Sequence, residues 1–367
     1  MRWSAWNLSR RLPVLVAAVV GATALTLAQG TPPGERVLLA EGQAYRLWSW
    51  TGVAALDVEA RDAQGNWWPF TRKGGETGWY GYNLQNAGEV RSSAAKLHLT
   101  EEQRAGVGVK VAACELEPGV RHRAEYMAGP SFCIVVTELM AQQQPEGAGI
   151  IRLAPRFDID IKRFTCYALR NGRGILHTGT IQALAARPAY VGVGTWGGPG
   201  CSLADLDPQR PYLAFFRPSG GPLLAFIYPH TRTLWIGGRH FLQLWEKDAN
   251  YFYSGMFDRG HFNETTAFVI YARADGDLEA FEAELPTVLQ RVDELAASGA
   301  VKLPALAAAH EMQQRMAALR SSLSPADTID EGHWLWTWKR YYAVRAAERV
   351  LTEGNPLAAK ALVDWVE

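Results

Sequence analysis

His261 and Glu264, in His261-Phe262-Asn263-Glu264, place an imidazole and a carboxylate three residues apart, and Asp258 stands three residues before the histidine. General acid–base catalysis needs two groups of different pKa within reach of one substrate, and this trio could supply them. At the mouth of a sheet, a histidine acid and a glutamate base would suit ring-opening at a sugar's anomeric carbon. The same residues also suit a solvated turn, because Asp-Arg-Gly-His and Asn-Glu-Thr-Thr are ordinary loop chemistry.

A second kind of chemistry is adhesive. The chain has 14 tryptophans, and an exposed indole stacks well on the apolar face of a sugar ring. For each of them, packing between two sheets is the alternative. The densest aromatic stretch, Pro211–Arg273, carries Trp235, Trp245, Tyr251, Phe252 and Tyr253 among His230, His240 and His261. Gly192–Gly200 reads GVGTWGGPG and fits neither phosphate-loop nor dinucleotide spacing, so it is read as a glycine loop presenting Trp196. The expectation is that Trp196, Trp235, His240 and Trp245 meet His261 and Glu264 at one concave face that binds an oligosaccharide or polysaccharide.

Other candidates are weaker in kind. The three histidines lack the i, i+4 spacing and companion carboxylate of a metal site, so neither a metal nor a cofactor is expected. Asp158 and Asp160 alternate with Arg156 and Lys162, which reads as an exposed charge ladder on one strand face, with calcium or a glycosidase pair as the alternative. No serine-nucleophile motif occurs.

These residues need a scaffold, and its period is two. Short apolar runs such as Arg36–Ala40, Ala44–Trp50, Val53–Glu59, Val107–Glu117, Val120–Tyr126, Ser131–Leu139, Tyr212–Phe216, Leu223–Tyr228 and Ala267–Ala272 are separated by turn chemistry. Counting from Arg36 to Ala272 gives about sixteen strands, too many for one immunoglobulin-sized sandwich. Two large antiparallel sheets packed face to face are the expected fold. Ile159–Phe164 is read as one of the strands, and Thr71–Ser93, rich in Gly and Asn with Trp79, Tyr80 and Tyr82, as a long loop.

After Asp275-Gly276-Asp277 the period changes to three and four, with Leu278, Phe281, Leu285, Leu289, Val292 and Leu295 on one helical stripe. Further helical runs are expected at Leu306–Leu319, His333–Leu351 and Pro356–Val366. The organisation that follows is a signal peptide over 1–28, a β-sandwich domain over 29–276, and a helical linker or partial helical domain over 277–367. Ser9-Arg10-Arg11 and the apolar Val14–Leu27 form the signal, cleaved after Ala28. Its apolar run falls short of the roughly 20 residues that span a bilayer, so no membrane span is expected once it is removed. Export from a bacterial cytoplasm, to the periplasm or beyond, is therefore expected.

Lysine plus arginine and aspartate plus glutamate number 37 each, with the basic residues scattered singly, so a nucleic-acid partner is not expected. Four cysteines in an exported chain could form two disulfides. If Pro118-Gly119 and Gly129-Pro130 are the turns of a meander, however, Cys114 and Cys133 flank a common strand about 9.6 Å apart, beyond bridging distance. Buried free thiols are the alternative.

A many-stranded sandwich whose last strand, Ala267–Ala272, leads through Ala274-Asp275-Gly276-Asp277 into a helix resembles the galactose-mutarotase-like supersandwich. That domain precedes a helical linker and an (α/α) toroid in bacterial glucoamylases and glycoside phosphorylases. The resemblance covers Arg36–Leu351 and rests on the order of elements. It implies a carbohydrate-associated protein, possessing glycoside hydrolase-like or sugar epimerase-like chemistry if it is an enzyme. It also implies that a catalytic toroid would begin near His333 and is lacking, so it assigns no catalytic residue. A non-catalytic structural or assembly protein of the cell envelope, its aromatics packing the core, is the other reading.

Overall fold

The computed structural model describes residues 34–73, 77–84, 88–91, 95–142, 148–170, 174–181, 200–202, 206–207, 209–229, 239–245, 251–257, 264–301, 315–316, 318–319, 343–349 and 356–364. The chain crosses repeatedly between two antiparallel sheets. Strands β1 (Arg36–Glu41), β2 (Tyr45–Trp50), β3 (Val53–Arg61), β4 (Trp67–Pro69), β5 (Gly78–Leu84) and β6 (Gly88–Arg91) enter the first sheet. The next four, β7 (His98–Arg104), β8 (Val107–Glu117), β9 (Val120–Ala128) and β10 (Phe132–Ala141), form a meander in the second. Strand β11 (Ala148–Asp158) returns to the first sheet, and β12 (Cys166–Arg170) and β13 (Leu176–Thr180) to the second. Then β14 (Gly200–Ser202) joins the first, β15 (Tyr212–Phe216) and β16 (Leu223–Ile227) the second, β17 (Arg239–Trp245) and β18 (Tyr251–Phe257) the first, and β19 (Glu264–Arg273) the second.

The result is a ten-stranded sheet ordered β1-β2-β3-β5-β11-β18-β17-β14, with β4 on β3 and β6 on β5, facing a nine-stranded sheet ordered β13-β12-β15-β16-β19-β10-β9-β8-β7. The fold is the expected two-sheet β-sandwich. Its interior is set by strand alternation: Ala54, Leu56, Val58 and Ala60 of β3 point inward, as do Val135 and Leu139 of β10. Phe70 is the aromatic hub, with ring centroids of Phe157, Phe164, Phe215 and Phe226 at 5.3, 5.3, 5.2 and 5.6 Å. Edge and tilted contacts of this kind add to the area buried.

One tie between the sheets is a tyrosine. The hydroxyl of Tyr45 lies 2.8 Å from the carbonyl of Gly129 and 2.9 Å from that of Phe132, so β2 holds the turn between β9 and β10. Gly42 makes room for it, since a Cβ there would stand 2.2 Å from the Tyr45 ring and 2.6 Å from the Pro130 carbonyl. Gly42→Ala is expected to lower stability by about 1–3 kcal/mol, the usual cost of overpacking, read from urea melts.

The interior also holds a histidine. His122 is buried, its ring stacked on Tyr80 at 4.1 Å, and among the described residues neither ring nitrogen has a hydrogen-bond partner. Burial depresses its pKa to about 3.

The outer face of the nine-stranded sheet is covered by helix α1 (Leu278–Ala297). Asp277 caps it, accepting from the Ala280 amide at 2.9 Å, and Gly299, with φ of 78°, follows its end. Phe281, Leu285, Val288 and Val292 pack on Ala214, Phe216, Leu223, Ala225, Ile227 and Tyr271. Strands β15 and β16 are consequently buried at every position, between the interior and α1. Glu282 latches the helix: Arg170 donates through Nε at 2.5 Å and Nη2 at 2.7 Å, and the Tyr212 hydroxyl donates at 2.5 Å. Helix α2 (Pro356–Asp364) and helical residues 343–349 share a separate cluster around Ala347, Ala359 and Val363.

Several expectations change. The segment 71–93 is not a long loop, because β5 and β6 run through it and Tyr80 is buried in the core. Nor is 159–164 a strand; the chain turns there, with the Arg163 and Phe164 amides both bonded to the Asp160 carbonyl at 2.9 Å. The meander is as read: β9 separates Cys114 on β8 from Cys133 on β10, and both thiols are free and buried. Burial pushes the Cys114 thiol up to about 12. Among the described residues no helix is long and apolar enough to cross a membrane.

Candidate functional site

One cluster of polar groups lies on the face of the ten-stranded sheet away from the interior, over β1–β3. On β3 the outward positions are Val53, Ala55, Asp57 and Glu59, and they are only 4, 4, 8 and 9% exposed. Opposite them β2 brings Trp48, paired with Asp57, and Arg46, paired with Glu59. The first residue of β1, Arg36, reaches over this hairpin. Its Nη2 donates to Asp57 Oδ2 at 3.0 Å and to Glu59 Oε1 at 2.8 Å, while its guanidinium carbon lies 4.2 Å from the Trp48 ring centroid. Trp48 Nε1 donates to Glu59 Oε2 at 2.9 Å.

Two carboxylates here share one guanidinium in a site largely withdrawn from water. Asp57 feels the consequence, its pKa raised to about 6 by burial and by the charge of Glu59, against the pull of Arg36. The nearby Arg46 is engaged elsewhere, bonded to Glu41 at 2.8 Å and lying 4.0 Å over the Trp67 ring. Chemically, the cluster offers an indole edge, a guanidinium and two carboxylates within a few ångströms, the planar groups that bond hydroxyls and cations well. Among the described residues no three His, Cys, Asp or Glu side chains are grouped to hold a metal ion.

Trp68 has a different task. Its Nε1 donates to Asp62 at 2.8 Å, its ring meets Phe164 edge-on at 6.4 Å, and a Cβ on Gly221 would stand 3.0 Å from it. It packs against the interior of the sandwich.

Of the residues singled out from sequence, Asp258, His261, Trp196 and Trp235, along with His230, lie outside the described residues. Glu264 opens β19 in the nine-stranded sheet, paired with Leu139. His240 and Trp245 are both on β17 in the ten-stranded sheet, paired with positions 256 and 251. Five residues apart on a regular strand, they lie on opposite faces. The pairings 55–79, 79–156, 156–253 and 253–243 form a row across the sheet. Position 245 therefore shares the face of Asp57 and Glu59, about 19 Å away at four strand spacings.

The charge ladder proposed for Asp158 and Asp160 does not exist. Asp158, fully buried at the end of β11, is ion-paired to Arg72, and Asp160 sits in the following turn, paired to Arg163 at 3.3 Å. The strand ends between them, so the two carboxylates share no face. Arg36, Trp48, Asp57 and Glu59 were not singled out. Their only sequence signal is Trp48-x-Trp50 followed across a Thr51-Gly52 turn by Asp57-x-Glu59, a pattern that burial alone distinguishes from a solvated ladder.

No family model matches the chain, and no curated protein does. Among solved structures it is similar to a glycoside hydrolase family 97 enzyme in complex with acarbose from Pseudoalteromonas sp. strain K8, at 9% identity and a TM-score of 0.38, over 65% of this chain and 36% of that one. It is similar to the alpha-N-acetylgalactosaminidase NagBb from Bifidobacterium bifidum in its GalNAc complex, at 11% identity and a TM-score of 0.45, over 66% of this chain and 37% of that one. A galactose mutarotase related enzyme from Lactobacillus acidophilus is matched over 66% of this chain and 99% of its own length, at 7% identity and a TM-score of 0.39. The chain thus spans little more than a third of the first two. The likeness is one of architecture, as the order of elements implied, and at these scores it carries no activity or substrate to this chain.

Proposed function

We propose that this is a carbohydrate-binding β-sandwich protein, exported from a bacterial cytoplasm, in which the face of the ten-stranded sheet away from the interior receives a glycan. The observation that carries it is the convergence, on that face, of the exposed Arg36 and the half-buried Trp48 on two carboxylates nearly withdrawn from solvent, Asp57 and Glu59. Sugar hydroxyls are both donors and acceptors, and planar charged or indole groups meet them with directed bonds that water exclusion strengthens. Position 245 lies on the same face by strand register, and the span of about 19 Å suits an oligosaccharide rather than one ring.

The test is calorimetric titration with a panel of neutral and charged oligosaccharides. Trp48→Ala and Glu59→Gln are each expected to weaken binding by about 1 kcal/mol or more, the value of a hydrogen bond to a charged group, with the melting transition retained. Binding of no member of the panel would overturn the proposal and leave the envelope-assembly reading. Trp245→Ala is expected to weaken long oligosaccharides more than disaccharides, which tests the extent of the face.

A further inference from the structure

Strand register brings three arginines, far apart in the chain, together on the face of the ten-stranded sheet away from the interior. Tyr80 of β5 is a core residue, so positions 79, 81 and 83 of that strand lie on the opposite face. Gly81 pairs with Arg91 of β6 on one side and with Arg152 of β11 on the other, and Trp79 pairs with Arg156 of β11. Partners in adjacent strands share a face, which places Arg91, Arg152 and Arg156 on it together. The third depends on an irregularity: between the pairs 152–81 and 156–79, the residues Leu153, Ala154 and Pro155 stand opposite Tyr80 alone. An unbroken strand would hold positions 152 and 156 about 13 Å apart, and the bulge shortens this to one same-face step of β5, about 7 Å. Pro155, with no N–H to give a ladder, is suited to such a bulge.

Gly81, between Arg91 and Arg152, contributes no side chain, and Arg156 is flanked by the positions of Trp79 on β5 and Tyr253 on β18, each about 4.8 Å away. Charge on this stretch is unbalanced. Among the described positions of β5, β6, β11 and β18 on this face, the acids are Glu89 and Asp158, and Asp158 is ion-paired to Arg72. Glu89 is the remaining acid for three arginines. Like charges on neighbouring strands repel, and an anion that joins them turns the repulsion into attraction. Guanidinium groups are suited to that task, since each can bond two oxygens of one oxyanion. We infer that Arg91, Arg152 and Arg156 form an oxyanion-binding site around Gly81, beside the aromatic positions 79 and 253. The substrate class follows, and this step rests on the glycan reading above: the oligosaccharide bound on this face is acidic, carrying carboxylate or sulfate groups.

The experiment titrates the full chain with two matched pairs: tetragalacturonate and its uncharged methyl ester, and a sulfated galactan tetrasaccharide and its desulfated form. In at least one pair the acidic member is expected to bind about tenfold or more tightly than the neutral one, and the pair that shows it identifies carboxylate or sulfate. Arg152→Gln and Arg156→Gln are each expected to weaken the acidic ligand about tenfold and to spare the neutral one. Where a β11 variant fails to fold, Arg91→Gln at the end of β6 tests the same site with the same expected loss. Arg163→Gln removes an equal charge from the turn after β11, where Arg163 is paired to Asp160, and is expected to bind as the parent does. An equal loss in Arg163→Gln overturns the inference, since overall charge would then account for the preference. If both pairs bind without preference, or neutral members alone bind, the oxyanion site falls and the glycan reading stands. If no oligosaccharide binds, yet sulfate replacing chloride at constant ionic strength raises the melting temperature of the parent and not of Arg152→Gln/Arg156→Gln, the oxyanion site stands and the glycan reading falls. If sulfate makes no such distinction either, both fall.

Discussion

Replacing Phe281 by alanine is expected to cost about 3–5 kcal/mol of stability, the range for a fully buried phenylalanine. Phe281 is 0% exposed and sits between two tyrosines of the nine-stranded sheet, its ring 4.9 Å from that of Tyr212 and 5.0 Å from that of Tyr271. Those tyrosines carry the other half of the contact, since Tyr212 donates to Glu282 and Tyr271 to Glu284. The cavity therefore opens beside the polar latch of α1. Urea denaturation followed by circular dichroism measures the loss, and a cost below about 1 kcal/mol would mean that α1 does not stabilise the sandwich.

The second large effect is a pair of opposed pH dependences. His122 is held well below its ordinary value, at about 3, by burial, so the unfolded chain takes up its proton first. Its share of stability is complete above pH 6.5 and is lost as pH falls from there toward 3, on the order of 5 kcal/mol in all. Among the described residues no carboxylate faces it to receive that proton. Its neighbours are Tyr80 across the interior, Cys114 and Leu139 opposite on β8 and β10, and Val120 and Ala124 along its own strand. Asp57 is raised to about 6, so the folded chain takes up its proton first, and stability is gained as pH falls from 6 toward its unfolded value of 3.8.

Between those limits the two slopes oppose one another. Relative to the parent protein, His122→Phe is expected to gain stability steadily as pH falls from 6.5 to 3, and Asp57→Asn to lose it between 6 and 3.8. Difference curves remove the common acid loss of Glu125 and Glu282. For those carboxyls burial pushes the pKa up, but hydrogen bonds from Arg104 and from Arg170 bring it below the ordinary value. Parallel melting curves for parent and His122→Phe across this range would rule out a buried neutral imidazole. At pH 7 His122→Phe is expected to be no less stable than the parent, since it keeps a ring against Tyr80 and removes two unpartnered nitrogens.

The meander β8–β10 was legible because its apolar runs are bounded by Pro118-Gly119 and Gly129-Pro130, and Gly119 has the positive φ such a turn needs, 80°. The helix α1 was legible from its stripe and its Asp277 cap. Strands β5 and β6 were not, because Gly78, Gly81 and Gly88 supply no side chains to alternate, and pairing with β3 and β11 holds β5 in the sheet. At 159–164 the apolar residues Ile159 and Phe164 are core residues presented by a turn, which alternation cannot distinguish from a strand.

The candidate site was the hardest to read, for a reason that also misled the reading of Asp158. A carboxylate at alternate positions of a strand predicts a solvated ladder unless distant chain covers it. Asp57, Glu59 and Asp158 are all covered. Tryptophan content pointed to aromatic chemistry without saying which indoles were spoken for. Trp68 packs against the interior and donates to Asp62, and Trp48 and Trp67 are faced by Arg36 and Arg46.

The strands between the sandwich interior and α1 have a further property. Every residue of β15 and β16 is buried, and on both sides their amides are bonded to neighbouring strands, β12 to β15, β15 to β16 and β16 to β19. Such amides have no local opening that admits water, so their deuterium uptake should track the global unfolding equilibrium. The face these strands turn to α1, made of Tyr212, Ala214, Phe216, Leu223, Ala225 and Ile227, would be bared if the helix were peeled away, with no charged residue within either strand to discourage association. Proteolysis or mechanical strain that releases the helix should therefore be followed by aggregation rather than by a soluble sandwich.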